Sequence, residues 1–241
     1  MIRLLVGLGN PGKEYERTRH NAGFWLVERF AASRGVALRK DPKYQALVAR
    51  LPDNGPWLLM PQSFMNASGR AVQMLAGFFK IKPEEMLVVH DELDFAPGTA
   101  RIKQGGGIAG HNGLKDISQR IASHDYWRLR LGVGRPADPA EMADYVLHKP
   151  SVEEKQAIDG AIDNALALLP QMIAGDMQGA MQKLHSQDKP APAPKKEPEK
   201  KAPPVKEPPK PEPKKEAQPP RKPAETPKDD KGFLKSLFGK K

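Results

Sequence analysis

The 241-residue chain contains no cysteine, which excludes a disulfide framework and any thiolate metal site and fits a reducing compartment. It has no apolar run long enough to span a bilayer, and residues 1–8 are too short for a signal segment and merge into a glycine turn. The expectation is a soluble, cytoplasmic protein. Three chemistries also lack their signatures. No H-x-x-x-H accompanies the acidic run at 90–94, no G-x-S-x-G elbow surrounds a serine, and no carboxylate pair suits glycosidase-type chemistry.

Charge is unevenly spread. Residues 187–241 hold 14 of the 25 prolines, 16 Lys/Arg and 9 Asp/Glu, so 16 − 9 = 7 of the formal +10 lies there and the remainder carries +3. The high isoelectric point is therefore mostly a property of the tail. One globular domain over 1–186 is expected, then a disordered Pro/Lys/Glu-rich linker over 187–231 that cannot bury enough apolar surface to fold. A short amphipathic segment follows at 232–241, where Phe233, Leu234, Leu237 and Phe238 share one helical face between lysines. It would dock on a partner such as the ribosome, or weakly on an anionic membrane.

The stretch 6–23, VGLGNPGKEYERTRHNAG, follows the first apolar strand, residues 2–8. Gly7, Gly9 and Gly12 spell the dinucleotide pattern, but a helix must open at the third glycine, and residues 13–21 are polar with no stripe to bury. The periodic helix starts near Ala22, with Phe24, Val27, Phe30 and Ala31, and stops at Gly35. A polar loop at a strand end is instead where α/β folds place chemistry.

Beyond it, runs 45–51 and 57–61 around Asn54-Gly55 read as a hairpin, so the sheet is mixed. Val72, Leu75, Ala76 and Phe79 mark a helix over 69–80, with Asn66 or Ser68 near its start. The apolar run 86–90 reads as a central strand ending in His90-Asp91-Glu92-Leu93-Asp94. A strand over 99–104 leads into a glycine-rich loop, 105–113, and a helix marked by Leu114, Ile117 and Ile121. Residues 127–134 alternate, which predicts a strand with Leu129, Leu131 and Val133 on one face and a wet basic side of Arg128 and Arg130. Asp138-Pro139 caps a short helix. Ser151 and Glu154 form a capping box for a helix carrying Ile158, Ile162, Leu166 and Leu169, with a second segment after Pro170. Alternating elements of this kind give an α/β fold, a mixed β-sheet flanked by helices on both faces.

Four strand or turn ends thus present polar groups: Asn10 with His20, Asn66, Asp91 and Asn112. A histidine, a carboxylate and several amides suit a site that activates water, orients substrate and stabilises an oxyanion. His90 reads as structural. Alone, Asn66 and Asn112 would be helix caps.

Taken in order, GLGNPG, TRHNAG, SFMNASG, HDELD and GGGIAGHNGLKD resemble bacterial peptidyl-tRNA hydrolases over residues 1–185. Ile108 and Ala109 stand where more polar or smaller residues are expected. The resemblance implies cleavage of the ester joining a peptide, or another N-blocked aminoacyl group, to the 3′ ribose of tRNA, which recycles tRNA from aborted translation. It implies no metal, no cofactor and a monomer. On it, His20 falls on the catalytic base, Asp91 on the carboxylate that orients it, and Asn10 on the residue distinguishing blocked from free aminoacyl-tRNA. Asn66 and Asn112 match substrate-binding amides, Tyr15 and Phe64 contact the tRNA end, and Met65 lines the crevice. Lys103 and Arg130 match residues associated with tRNA phosphates, with Arg17, Arg19 and Arg128 as further candidates for such contacts. A noncatalytic RNA-binding module and a nucleotide-dependent oxidoreductase are the competing classes.

Overall fold

A computed structural model describes residues 1–186; the expectations for 187–231 and 232–241 lie outside the described residues. Seven strands, β1 (Leu4–Gly7), β2 (Arg39–Asp41), β3 (Ala46–Arg50), β4 (Trp57–Pro61), β5 (Met86–Glu92), β6 (Ala100–Gln104) and β7 (Trp127–Gly132), form one sheet in the order β2-β3-β4-β1-β5-β7-β6. The central four, β4-β1-β5-β7, are parallel, and antiparallel strands flank them on both sides.

Strand register sorts the core into two layers. Leu5 lies beside Leu58 and Leu87, and all three join Leu26, Val27 and Phe30 of α1 (Ala22–Ser33) and Ile158 and Ile162 of α5 (Val152–Ile173). Their neighbours Leu4, Val6, Leu59 and Val88 join Val72 and Leu75 of α2 (Ser68–Phe78) and Leu114 and Ile117 of α3 (Asn112–Ile121) on the other face. Side chains alternate along a strand, so β1, β4 and the first half of β5 feed both layers and read as apolar runs, whereas β7 gives Leu129 and Leu131 to the first layer only. The expected α/β class, mixed sheet and two helical layers are therefore present. The short α4 (Met142–Tyr145) and α6 (Met177–Ser186) complete the helices among the described residues, none of which is long and apolar enough to cross a membrane.

Several local expectations are corrected. The hairpin gains a third antiparallel strand, the short and largely exposed β2, whose polar sequence carries no strand signal. Pro170 does not divide the C-terminal helices: α5 continues through it because Leu169 and Met172 are buried on its stripe, and the break comes at Gly175, with φ +99°. The wet basic side of β7 is also wrong in part. Leu129, Leu131 and Val133 are buried as expected, but so is Arg128, whose guanidinium donates to the carbonyls of Gly105 and Gly107 and ties the glycine loop to the sheet.

Candidate active site

The loop after β1 is brought to the carboxyl end of β5 by glycines rather than by a phosphate. A Cβ on Gly7 would stand 2.5 Å from the carbonyl oxygen of Gly23, and one on Gly23 would stand 2.4 Å from that of Val89. At both positions a methyl group would overlap backbone, so α1 starts hard against β1 and β5 only because they are glycine. The G-x-G pattern serves helix packing here. Arg19–Asn21, a single 3₁₀ turn just ahead of α1, inherits this placement and sets His20 beside the end of β5.

His20 Nδ1 is 2.9 Å from Asp91 Oδ1, with both side chains buried. A second imidazole meets the same oxygen: His111 Nε2 lies 3.0 Å from it, while His111 Nδ1 accepts from the Leu114 N–H at 3.4 Å and caps α3. Both ring nitrogens of His111 are thereby engaged. With Nδ1–H of His20 donated to the carboxylate, its Nε2 is left as an acceptor in a pocket of about 540 Å³. Burial disfavours a charged imidazole, yet the charge of Asp91 and its hydrogen bond together outweigh burial and raise the pKa of His20 above its usual value. Asp91 also pays a burial penalty, more than offset by His20 and His111, and is held well below the ordinary carboxyl range.

Asn10 is fixed by three bonds. Its main-chain N–H and carbonyl pair with the Asn21 side-chain amide at 2.8 and 2.9 Å, and its Oδ1 accepts from the Met65 N–H at 2.7 Å. The group it has left to offer is the Nδ2 amide donor. Tyr15 and Phe64 meet edge to face at 6.2 Å between ring centroids, and Phe64 is 61% exposed, which leaves ring surface for a ligand. Asn66 and Asn112 sit exposed on the pocket rim, and neither caps a helix; the α3 cap is His111. Met65 is buried in the pocket wall.

All eight of these predicted residues, Asn10, Tyr15, His20, Phe64, Met65, Asn66, Asp91 and Asn112, line this one pocket; Lys103 and Arg130 do not. Lys103 is exposed on β6, whereas Arg130 is half-buried, ion-paired with Glu92 at 2.8 Å and lying over Phe95. Arg17 is exposed. Arg19 is not free for phosphate: it is buried, donates to the carbonyls of Tyr145, His148 and Lys149, and pairs with Glu154 at 2.6 Å. Arg128, buried beneath the glycine loop, is likewise withdrawn from that role. Ile108 packs against the α2/α3 core, and Ala109 turns the loop at φ +48° on the pocket edge. Sequence reasoning missed His111 and Asn21; the only signal was their position inside the motifs GHN and RHNAG.

A sequence profile described as peptidyl-tRNA hydrolase matches residues 4–192. The chain belongs to this family. It is 53% identical to the peptidyl-tRNA hydrolase of Methylococcus capsulatus over 186 residues, which is 77% of this chain and 100% of that one. Against the Neisseria meningitidis family member the identity is 52% over 187 residues, covering 77% and 97%. The crystal structure of peptidyl-tRNA hydrolase from Acinetobacter baumannii superposes with a TM-score of 0.73 at 44% identity, covering 76% of this chain and 94% of that one.

Proposed function

We propose that the chain hydrolyses the ester between a peptide, or another N-blocked aminoacyl group, and the 3′ ribose of tRNA, with His20 as general base and Asp91 as the carboxylate that orients it. Family membership supports the reaction, and the observation that carries the assignment is the His20–Asp91 hydrogen bond, which leaves Nε2 open to the pocket. Nε2 takes a proton from water as the water oxygen attacks the ester carbonyl. The tetrahedral intermediate then expels the ribose 3′ oxygen, which recovers that proton from His20. An ester is already activated, so roughly 10²–10⁴-fold from a positioned base, plus amide donors at the oxyanion, is a sufficient contribution.

Asn10 separates blocked from free substrates. Its one uncommitted group is a donor, which pairs with the peptide carbonyl of a blocked substrate and finds no acceptor in an α-ammonium. Tyr15 and Phe64 hold the tRNA end, Met65, Asn66 and Asn112 the acyl end, and Lys103, Arg17 and the exposed edge of Arg130 its phosphates, a set that reads no sequence. The chain works as a cytoplasmic monomer, and residues 232–241 dock it on the ribosome. Deleting them leaves hydrolysis of free substrate unchanged and reduces co-sedimentation with ribosomes; equal sedimentation removes that part.

The deciding assay is release of tRNA from N-acetyl-aminoacyl-tRNA and from unblocked aminoacyl-tRNA in EDTA, with wild type and His20→Ala. Rapid cleavage of the blocked substrate alone, lost in the variant, is expected. Binding without cleavage points to a noncatalytic module, and cleavage surviving in His20→Ala rejects the base.

A further inference from the structure

His20 Nδ1, Asp91 Oδ1 and His111 Nε2 converge from the 3₁₀ turn before α1, the end of β5 and the N-cap of α3, and these donor atoms all lie within 4.8 Å of one another. In the resting protein two imidazole N–H groups point at the one carboxylate oxygen, at 2.9 and 3.0 Å. Zinc binds imidazole nitrogen and carboxylate oxygen at about 2.0–2.2 Å, which sets neighbouring donors of a tetrahedral site about 3.3 Å apart. The two spacings to Asp91 fall short of that by a few tenths of an ångström, and the two imidazole nitrogens, within 4.8 Å of each other, must come to the same spacing when the ion binds. His20 and Asp91 are buried and His111 largely so, and all three border the open pocket, where water would complete the coordination.

The geometry points to this triad as an inhibitory binding site for a late first-row divalent ion, Zn²⁺ above all. Two imidazoles and one carboxylate suit zinc, cobalt and copper, whereas Mg²⁺ seeks an all-oxygen octahedron and keeps its waters. The Mg²⁺ that accompanies any tRNA therefore does not compete. The bond surrendered is the long one from the Leu114 N–H to His111 Nδ1, at 3.4 Å, since that nitrogen must take the ring proton when Nε2 binds the ion. The same logic disables catalysis. Once Nδ1 of His20 is a ligand, the proton of the neutral ring moves to Nε2, the atom that has to accept a proton from water. Binding depends on the triad alone; inhibition also rests on the assignment of His20 as base.

The test uses the untagged full-length chain, with Co²⁺ as a spectroscopic probe and Zn²⁺ as inhibitor, in excess Mg²⁺ to occupy the tRNA phosphates. One Co²⁺ per chain with a ligand-field band of low coordination number is expected, displaced by Zn²⁺, and hydrolysis should fall over the same Zn²⁺ range and recover with EDTA. His111→Asn keeps a good helix cap and should weaken Co²⁺ binding by at least about 10-fold. Asp91→Asn, read by Co²⁺ binding alone, should do the same. A missing band, or a band equally strong in both variants, overturns the site, because the ion would then sit on other histidines such as His124 or His148. Zn²⁺ acceleration overturns the inhibitory role. Triad-dependent binding with unimpaired hydrolysis rejects His20 as the base.

Discussion

His20 and His90 are buried imidazoles that both bond to Asp91, each about one ring away from His111, at 5.0 and 4.9 Å between centroids. Their titrations nevertheless diverge. His20 faces the pocket and receives the carboxylate, so its pKa is raised against the pull of burial. His90 is buried, does not line the pocket and meets only the main-chain carbonyl of Asp91, at 2.6 Å, with Nε2 unpartnered. Burial dominates there, the charge of His111 adds to it, and the pKa falls well below the usual value. One residue thus offers its side chain to one histidine and its backbone to the other, and together with the complete burial of His90 this separates the proposed base from a core group.

Deleting the favoured partner breaks the comparison most severely: His20→Ala should slow hydrolysis of blocked aminoacyl-tRNA by roughly 10²–10⁴-fold with little change in affinity, measured by single-turnover tRNA release. Asp91→Asn makes His20 resemble His90. In the wild type the rate should fall as pH drops through the raised pKa of His20, which lies above about 6.5. In Asp91→Asn burial is unopposed, so the acidic limb should move to lower pH while the plateau drops by roughly 10²-fold; an unmoved limb in a pH–rate profile would show that Asp91 does not set the base. Gly23→Ala attacks the placement instead. Its Cβ would overlap the Val89 carbonyl, so denaturant melts should show a loss of about 3 kcal/mol, accompanied by lower kcat as His20 shifts from Asp91.

The smallest effect is expected on the inert side. His90→Leu removes one buried hydrogen bond and should lower stability at neutral pH by about 1 kcal/mol with activity retained. The signs of the two histidines are opposite. The lowered pKa of His90 gives stability that is present above about 6.5 and lost as pH falls through the folded-state value. The raised pKa of His20 gives stability that is present below about 6.5 and lost as pH rises. His90→Leu should therefore narrow its deficit on acidification, and melts at two pH values check this.

Much of this was legible in the sequence, for reasons that differ by residue. The two-layer core showed because β5 and α1 write their burial directly into apolar runs and helical spacing. The pocket residues showed because the motifs lie at the ends of β1 and β5 and at the starts of α2 and α3, where an α/β sheet collects them. What stayed hidden was pairing across the chain. Whether Arg128 and Arg19 meet water or carbonyls depends on the glycine loop and on residues 145–149, and neither periodicity nor charge counts report that. His111 was hidden in the same way, its partner Asp91 being twenty residues upstream.

The buried guanidinium of Arg19 has an implication for anyone re-engineering the chain. It grips three consecutive-turn carbonyls of residues 145–149, and the His20 N–H is itself bonded to the Val146 carbonyl at 2.9 Å. The exposed run just before that anchor looks like a convenient place for an inserted label or a permuted terminus. Severing the chain at 145–149, however, would unseat His20 from behind and disturb Val146 and Leu147 in the pocket wall.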